Sequence, residues 1–169
     1  QELQALIDNL QKSHPKVVEE AINANAFNLG AVLKVCKNLL KEQVPIRDLR
    51  TILETLANYA MTTKDTDQLT EYSRSALSRT ITHRLTGGSG ALEVITMSPQ
   101  TEETVLRAYQ RQENGVAILN LEPSYFEKLV KQLNSTIENS LFNSGNPVLL
   151  VRPTVRELMK KTLERFVPN

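Results

Sequence analysis

The chain has 169 residues, of which 40% are hydrophobic and 23% charged, and its net charge is +1. A chain of this length and hydrophobicity can bury a core, as one sizeable domain or two small ones, so it is not a disordered tail. No apolar run reaches the roughly 18 residues of a membrane span. The single cysteine, Cys36, excludes an internal disulfide. Basic and acidic residues are evenly balanced, with 11 to 10 in 1–86 and 9 to 9 in 87–169. This balance argues against a nucleic-acid binder.

Apolar residues recur at helical spacing as far as Leu85, which predicts a helical first half. Five helices are predicted in chain order. The first two are Glu2–Leu10 and Pro15–Asn23, and the third is capped by Asn28 and directs Leu29, Val32, Leu33, Cys36, Leu39 and Leu40 inward. The fourth covers 45–60, and the fifth is capped by the segment Lys64–Asp67 and has its apolar residues from Leu69 to Leu85. Their connections are short, so we expect neighbouring helices to pack against one another.

The helix predicted over 45–60 is the most distinctive segment of the chain. Its apolar residues are Ile46, Leu49, Leu53, Leu56 and Ala60, spaced three and four apart as in an amphipathic helix. Its polar face carries Arg47, Asp48, Arg50 and Glu54. A surface pair at i, i+4, such as Arg50 and Glu54, stabilises a helix by only about 0.3–0.5 kcal/mol. Helix stability alone therefore does not explain so dense a set of charges.

The tetrapeptide Gly87–Gly90 predicts a hinge, because glycine has no Cβ to restrict the backbone. Beyond it the pattern alternates between strands and helices. Strands are predicted at Leu92–Met97, Val116–Leu119 and Val148–Val151, and helices at Pro99–Gln112, Pro123–Phe142 and Pro153–Phe166. This order is typical of βαβ crossovers. The predicted fold class is α+β and mainly α: a helical subdomain followed by a small α/β subdomain with a mainly parallel three-stranded sheet.

Candidate chemistry is sparse in this sequence. His14 and His83 lack further ligands at metal spacing, and Cys36 lies on an apolar helix face without a nearby histidine. No catalytic site, metal site or cofactor is therefore predicted, and the chain is not expected to be an enzyme. On the last helix, Arg152, Arg156 and Lys160 recur every four residues. They are interpreted either as a solvated face or as a docking face for an acidic partner.

Several motifs, in the same order along the chain, resemble the cytoplasmic domain of the FlhA-type export-gate family of flagellar and virulence type III secretion. They are His14–Glu20, Leu33–Glu42, Val44–Ala60, Lys64–Glu71, Ala76–Arg79, Asn114–Pro123 and Pro147–Leu150. Thr66 stands where the family commonly has proline, and Ser78 where it commonly has glycine. The likeness covers essentially the whole chain.

The resemblance implies a fragment of a larger protein, with membrane helices followed by a cytoplasmic portion of four subdomains. Residues 1–27 would be the end of the second subdomain and connecting helices, and 28–86 the helical third subdomain. Residues 87–90 would be the hinge, and 91–169 most of the fourth subdomain without its last strand. The chain would then belong to the cytoplasmic domain of a bacterial inner-membrane protein, with no direct membrane insertion of its own.

The implied function is a non-enzymatic platform that forms a nonameric ring and docks export chaperones with their cargo and the export ATPase complex. Asn28, Leu29, Gly30 and Ala31 are the candidate chaperone-binding residues, although Gly30 replaces a hydroxyl residue common in the family. The face formed by Arg47, Asp48, Arg50 and Glu54 has two interpretations: it supports neighbouring helices, or it contacts the next protomer of the ring.

The segment Leu92–Pro99 resembles the flagellar pattern more than the virulence pattern, so the flagellar branch is favoured. A virulence export gate is the alternative within the family. The alternatives outside it are a stand-alone helical interaction module and a DNA-binding domain that uses the helix over 69–85.

Overall fold

The computed structural model describes residues 2–23, 27–87, 90–113, 116–139 and 147–167. They form two compact units, Gln1–Gly90 and Ala91–Asn169, and each unit has a hydrophobic core of its own. The boundary falls in the predicted hinge, where Gly87 and Gly90 have φ values of 55° and 81°; glycine adopts such left-handed values without a Cβ clash. Gly88 and Ser89 lie outside the described residues. None of the described helices is long and apolar enough to cross a membrane.

The first unit is helical. Its elements are α1 (Glu2–Ser13), α2 (Pro15–Val18) continued by a π-helical turn (Glu19–Asn23), α3 (Leu29–Lys41), α4 (Leu49–Tyr59), α5 (Thr66–Ala76) and α6 (Ser78–Thr86). Residues 2–22 and 27 share one core with the helices that follow, so the subdomain boundary at residue 27 stays a prediction about the longer protein.

Two predicted helices differ from the observed ones. The helix predicted over 45–60 begins only at Leu49, because the Asp48 carboxylate caps it by accepting the Thr51 N–H at 3.1 Å. The fifth predicted helix is divided at Leu77, whose backbone leaves the helical region at φ −87° and ψ 11° while its side chain is buried. Within the predicted capping segment Lys64–Asp67, the cap is Asp65, whose carboxylate accepts the Asp67 N–H at 2.9 Å.

Helix α4 occupies the centre of the first core. It contacts α1, α2 and α5, and α3 also packs against α5. The buried residues of α4 are Leu49, Ile52, Leu53, Thr55 and Leu56. At the end of α4, the Tyr59 ring stacks on the Tyr72 ring of α5 with centroids 3.8 Å apart. Truncating one buried Leu or Ile typically costs about 2–5 kcal/mol, so this packing dominates the stability of the unit.

Helix α3 starts as predicted but buries a narrower face. Asn28 is confirmed as its cap, with Oδ1 accepting the Ala31 N–H at 2.8 Å. The residues that α3 buries are Val32, Val35, Cys36 and Leu39, whereas Leu29, Leu33 and Leu40 are exposed. The expectation that these three leucines point inward is therefore wrong, because the helices packed on α3 cover only part of its apolar surface.

Helix α3 ends in a Schellman motif whose left-handed residue is not glycine. Gln43 has a φ of 59°, its N–H donates to the Leu40 carbonyl at 2.9 Å, and the Val44 N–H donates to the Leu39 carbonyl at 2.9 Å. Val44 and Leu39 are both buried, as expected for the apolar contact of this motif. The Arg84 guanidinium of α6 donates to the Gln43 carbonyl. The end of α3 thus also holds α6.

The described residues of the second unit form two strand pairs rather than the predicted three-stranded, mainly parallel sheet. Its elements are β1 (Val94–Thr96), α7 (Pro99–Ala108), β2 (Tyr109–Arg111), β3 (Ala117–Leu119), α8 (Pro123–Asn139), β4 (Val148–Leu150) and α9 (Pro153–Leu163). Strands β1 and β4 are parallel and in register from Val94 opposite Val148. Strands β2 and β3 are antiparallel, with Tyr109 opposite Leu119. Within the described ranges, β3 does not join the parallel pair.

The difference arises at the end of α7. The helix was predicted to continue to Gln112, but it ends at Ala108 and the chain becomes a strand. The connection from Arg111 to Ala117 is too short for a parallel crossover, which needs a dozen or more residues, and suits a hairpin. The Gln112 N–H accordingly donates to the Val116 carbonyl at 2.9 Å. Sequence periodicity placed β3 correctly but assigned it the wrong partner.

The second core lies among the last three helices. Its buried residues are Val105, Leu133, Val155, Met159 and Leu163, with Ile95 of β1 and Leu149 of β4 packed against them. Ahead of α8, the Glu122 carboxylate accepts the Tyr125 N–H at 3.0 Å. Hydrogen bonds from Ser124 and Tyr125 lower the pKa of this carboxyl, so its charge stabilises the start of α8.

Replacing Gln43 by glycine should increase the free energy of unfolding of the first unit by about 0.5–1 kcal/mol, because glycine removes the Cβ clash of a left-handed residue. The backbone hydrogen bonds of the motif, and the one from Arg84 to the carbonyl, do not need the Gln43 side chain. Urea denaturation followed by circular dichroism measures the change.

Gln43→Ala is the matched control. It keeps the strained φ and removes the side-chain oxygen, which lies 3.4 Å from Arg84 Nη2. We expect no gain in stability from alanine. A glycine variant that is no more stable than the alanine variant would contradict the interpretation.

Candidate functional site

The candidate chaperone-binding residues form the first turn of α3. Asn28, Leu29 and Gly30 are exposed, and Ala31 is half-buried against the core. A Cβ on Gly30 would lie 3.2 Å from Asn28 Oδ1, the atom that caps the helix at Ala31. Glycine therefore leaves room for the cap at this position. The turn is accessible and rigidly capped, and its role in partner binding stays a prediction.

The charges predicted for the polar face of α4 have unequal environments. Asp48 is engaged in capping, since its carboxylate oxygens accept the Thr51 N–H at 3.1 Å and the Thr51 hydroxyl at 2.7 Å. Arg47 precedes the helix and is exposed. Asp48 therefore has a local structural role, while Arg47 remains available at the surface.

The other two charges of this face form the predicted ion pair. Arg50 Nε lies 2.7 Å from Glu54 Oε1, with the side chains 53% and 42% exposed. The hydrogen bond and charge of Glu54 raise the pKa of Arg50. Arg50 Nη1 also lies 3.2 Å from His14 Nε2, between α1 and α2. The pair thus touches a neighbouring element and is still solvated, which is compatible with both interpretations of the face.

A more buried ion pair was not predicted. Arg74 Nη1 of α5 lies 2.6 Å from Glu42 Oε2 at the end of α3, with the side chains only 18% and 15% exposed. One turn away, the Asn38 amide donates to Asp67 Oδ1 and Thr70 Oγ1, each at 3.2 Å. Periodicity carries no signal for partners that are 32 residues apart. These contacts fix α3 against α5.

The three cations predicted as a docking face do not lie in one helical row. Arg152 precedes α9, and its Nε lies 3.1 Å from Glu102 Oε1 of α7. Arg156 is half-buried and Lys160 is exposed. Because the ion pair with Glu102 engages Arg152, the cationic surface is smaller than the sequence spacing indicates.

The described residues carry little that resembles a chemical site. They include no group of three or more His, Cys, Asp or Glu side chains that could hold a metal ion. Burial raises the pKa of the Cys36 thiol to about 11, so the thiol stays protonated and a poor nucleophile at neutral pH. In the second unit, a cavity of about 110 Å³ is lined by apolar residues such as Met97 and Met159 and by polar residues such as Thr101 and Gln132.

Comparison with known proteins identifies relatives along the whole chain. The FHIPEP family matches residues 1–169. The flagellar biosynthesis protein FlhA of Bacillus subtilis is 40% identical over 169 residues, which are 100% of this chain and 25% of that protein. The chain therefore spans about a quarter of the length of this relative.

Two solved structures resemble the fold. The CdsV and CdsO complex of Chlamydia pneumoniae matches with a TM-score of 0.82 and 34% identity, covering 97% of this chain and 47% of the matched chain. A nonameric SctV-C from EPEC matches with a TM-score of 0.81 and 29% identity, covering 98% and 49%. Both matches extend over both units of this chain.

The two Arg–Glu pairs of the first unit should differ in their contribution to stability. Glu42→Gln removes the carboxylate that faces the largely buried Arg74, so we expect a loss of about 3 kcal/mol in the free energy of unfolding. Glu54→Gln, the matched control at the solvated pair, should cost only about 0.3–0.5 kcal/mol. Denaturant titration of both variants measures the difference, and equal losses would mean that the Glu42 pair is solvated.

Proposed function

The chain belongs to the FHIPEP family, and on that premise we propose that it is part of the cytoplasmic domain of a type III export gate in a bacterial inner membrane. The observation that carries the proposal is the match over all 169 residues, with 40% identity to the flagellar biosynthesis protein FlhA of Bacillus subtilis. The expectation that an apolar strand follows residue 169 concerns the longer protein and stays a prediction.

We favour the flagellar branch. The identity to the flagellar relative from Bacillus subtilis is 40%, against 34% to CdsV and 29% to SctV-C. The segment Leu92–Pro99 supports the same branch, because it resembles the flagellar pattern. A virulence export gate is the second candidate, supported by the similarity of fold to SctV-C.

The proposed role is non-enzymatic docking and ring formation. The nonameric state of the similar SctV-C supports a ring of nine copies, and the complex of CdsV with CdsO supports a partner of comparable kind, such as a component of the export ATPase complex. Binding of export chaperones and their cargo is proposed for the exposed turn at Asn28, Leu29, Gly30 and Ala31. The exposed Lys160, with Arg156 near it, is proposed as a docking face for an acidic partner.

The ring contact is proposed for the exposed charges at the start of α4. Arg47 and Arg50 are exposed, and charges at such a contact fix register and orientation more than they add affinity. Contacts of this kind are weak for separate chains and become effective when a membrane anchor raises the local concentration. The 169-residue chain is therefore expected to be monomeric in solution.

A hybrid protein tests the proposed function. The segment of Bacillus subtilis FlhA that aligns with this chain is replaced by residues 1–169, and secretion of flagellar proteins and swimming are measured in a strain that lacks the native protein. We expect measurable secretion and motility, because the segments share 40% of their residues. A hybrid with an unrelated helical domain of similar length is the control. Loss of secretion by a folded, membrane-inserted hybrid would count against the proposal.

The ring contact is tested by Arg47→Glu with Arg50→Glu in the same hybrid. We expect secretion to be abolished while the thermal midpoint of the 169-residue chain changes little, because both side chains are exposed and surface ion pairs contribute roughly 0–1 kcal/mol. Lys12→Glu with Lys16→Glu, a double reversal at exposed residues of α1 and α2, is the matched control. A large fall in the midpoint would mean that the arginines support the fold.

A further inference from the structure

Helix α3 has a wider apolar arc than the first unit covers. At about 100° per residue, its large apolar side chains span an arc of about 160°, from Val35 round to Leu33. The buried part of this arc, from Val35 to Cys36, is about 100° wide and comprises Val32, Val35, Cys36 and Leu39. The remaining part consists of Leu29, Leu33 and Leu40, which are 39%, 37% and 52% exposed. We call these three residues the leucine row.

The three side chains of the leucine row project from nearly the same side of α3. They lie within about 40° of one another around the helix, and Leu29 and Leu40 are separated by about 16 Å along the helix axis, or three turns. Exposed apolar residues scattered singly are common on protein surfaces and need no explanation. Leu29, Leu33 and Leu40 are instead aligned on one rigid element that is capped at both ends.

A row of cations borders the leucines. Lys34, Lys37 and Lys41 lie about 80–140° from Leu29 around α3, and all three are exposed. Among the described residues none of them has a salt bridge, and α3 contains no acidic residue. The helix dipole accounts for Lys41 in the last turn but not for Lys34, which is in the middle of the helix. We call these three residues the lysine row.

We propose that the leucine row and the lysine row together form a docking face for an amphipathic helical segment of a partner protein. Such a segment would have apolar residues along one side and carboxylates beside them. Apolar anchors at i, i+4, i+7 and i+11 are how helices recognise apolar surfaces, and the lysines would select acidic partners and fix their orientation. The kind of partner follows from the proposed docking function, on which this inference rests. The docking face extends the candidate surface from the Asn28–Ala31 turn along α3.

A designed helical peptide is the probe. It carries fluorescein, leucines at i, i+4, i+7 and i+11, and glutamates on the adjoining positions, and its binding to the 169-residue chain is followed by fluorescence anisotropy. We expect micromolar binding that Leu33→Glu and Leu40→Glu each weaken at least tenfold, and that Lys34→Glu with Lys37→Glu weakens several-fold at low salt. Leu85→Glu is the matched control, since Leu85 is 47% exposed on α6, and it should change binding less than twofold.

Three results would overturn the proposal: equal binding by the Leu33 and control variants, equal binding of a peptide with lysine in place of glutamate, or no binding to the full-length protein that carries this chain. The last result would mean that the protein's own remaining chain covers the leucine row. A hybrid that fails in secretion while its peptide binding is normal would count against the proposed export function only.

Discussion

The first unit depends on the burial of α4. This helix contacts α1, α2 and α5, and Leu49, Ile52, Leu53 and Leu56 leave it little apolar surface in water. A helix of 11 residues is marginal in isolation, so tertiary packing rather than propensity maintains it. The two charged residues within α4, Arg50 and Glu54, lie on the face that remains exposed.

Directional contacts fix the other helices around this core. The end of α3 is bound to α5 through Glu42 and Arg74 and to α6 through the Gln43 carbonyl and Arg84. Apolar packing tolerates small shifts of one helix along another, whereas a buried ion pair and a capped helix end do not. Helix α3 is thus held on one side as a rigid element while its leucines remain at the surface, a combination suited to binding a partner.

The second unit is built from much shorter strands. Each strand of the described part has three residues, and isolated strand pairs are marginally stable in water. The helices α7, α8 and α9 therefore supply the buried core, and the strands are secondary to it.

Local signals allowed the sequence to determine where most helices lie, the cap at Asn28, and the positions of three of the four described strands. Caps, helical periodicity and glycine turns act over a few residues, so they are readable from one chain. The tertiary structure alone decided that β3 pairs with β2, that α3 leaves three leucines uncovered, and that Glu42 meets Arg74. The uncovered leucines and the Glu42–Arg74 pair depend on segments distant in sequence, whose contact energies, unlike local propensities, exist only once the core has formed. The β2–β3 pairing follows instead from the end of α7 at Ala108, which apolar periodicity did not indicate.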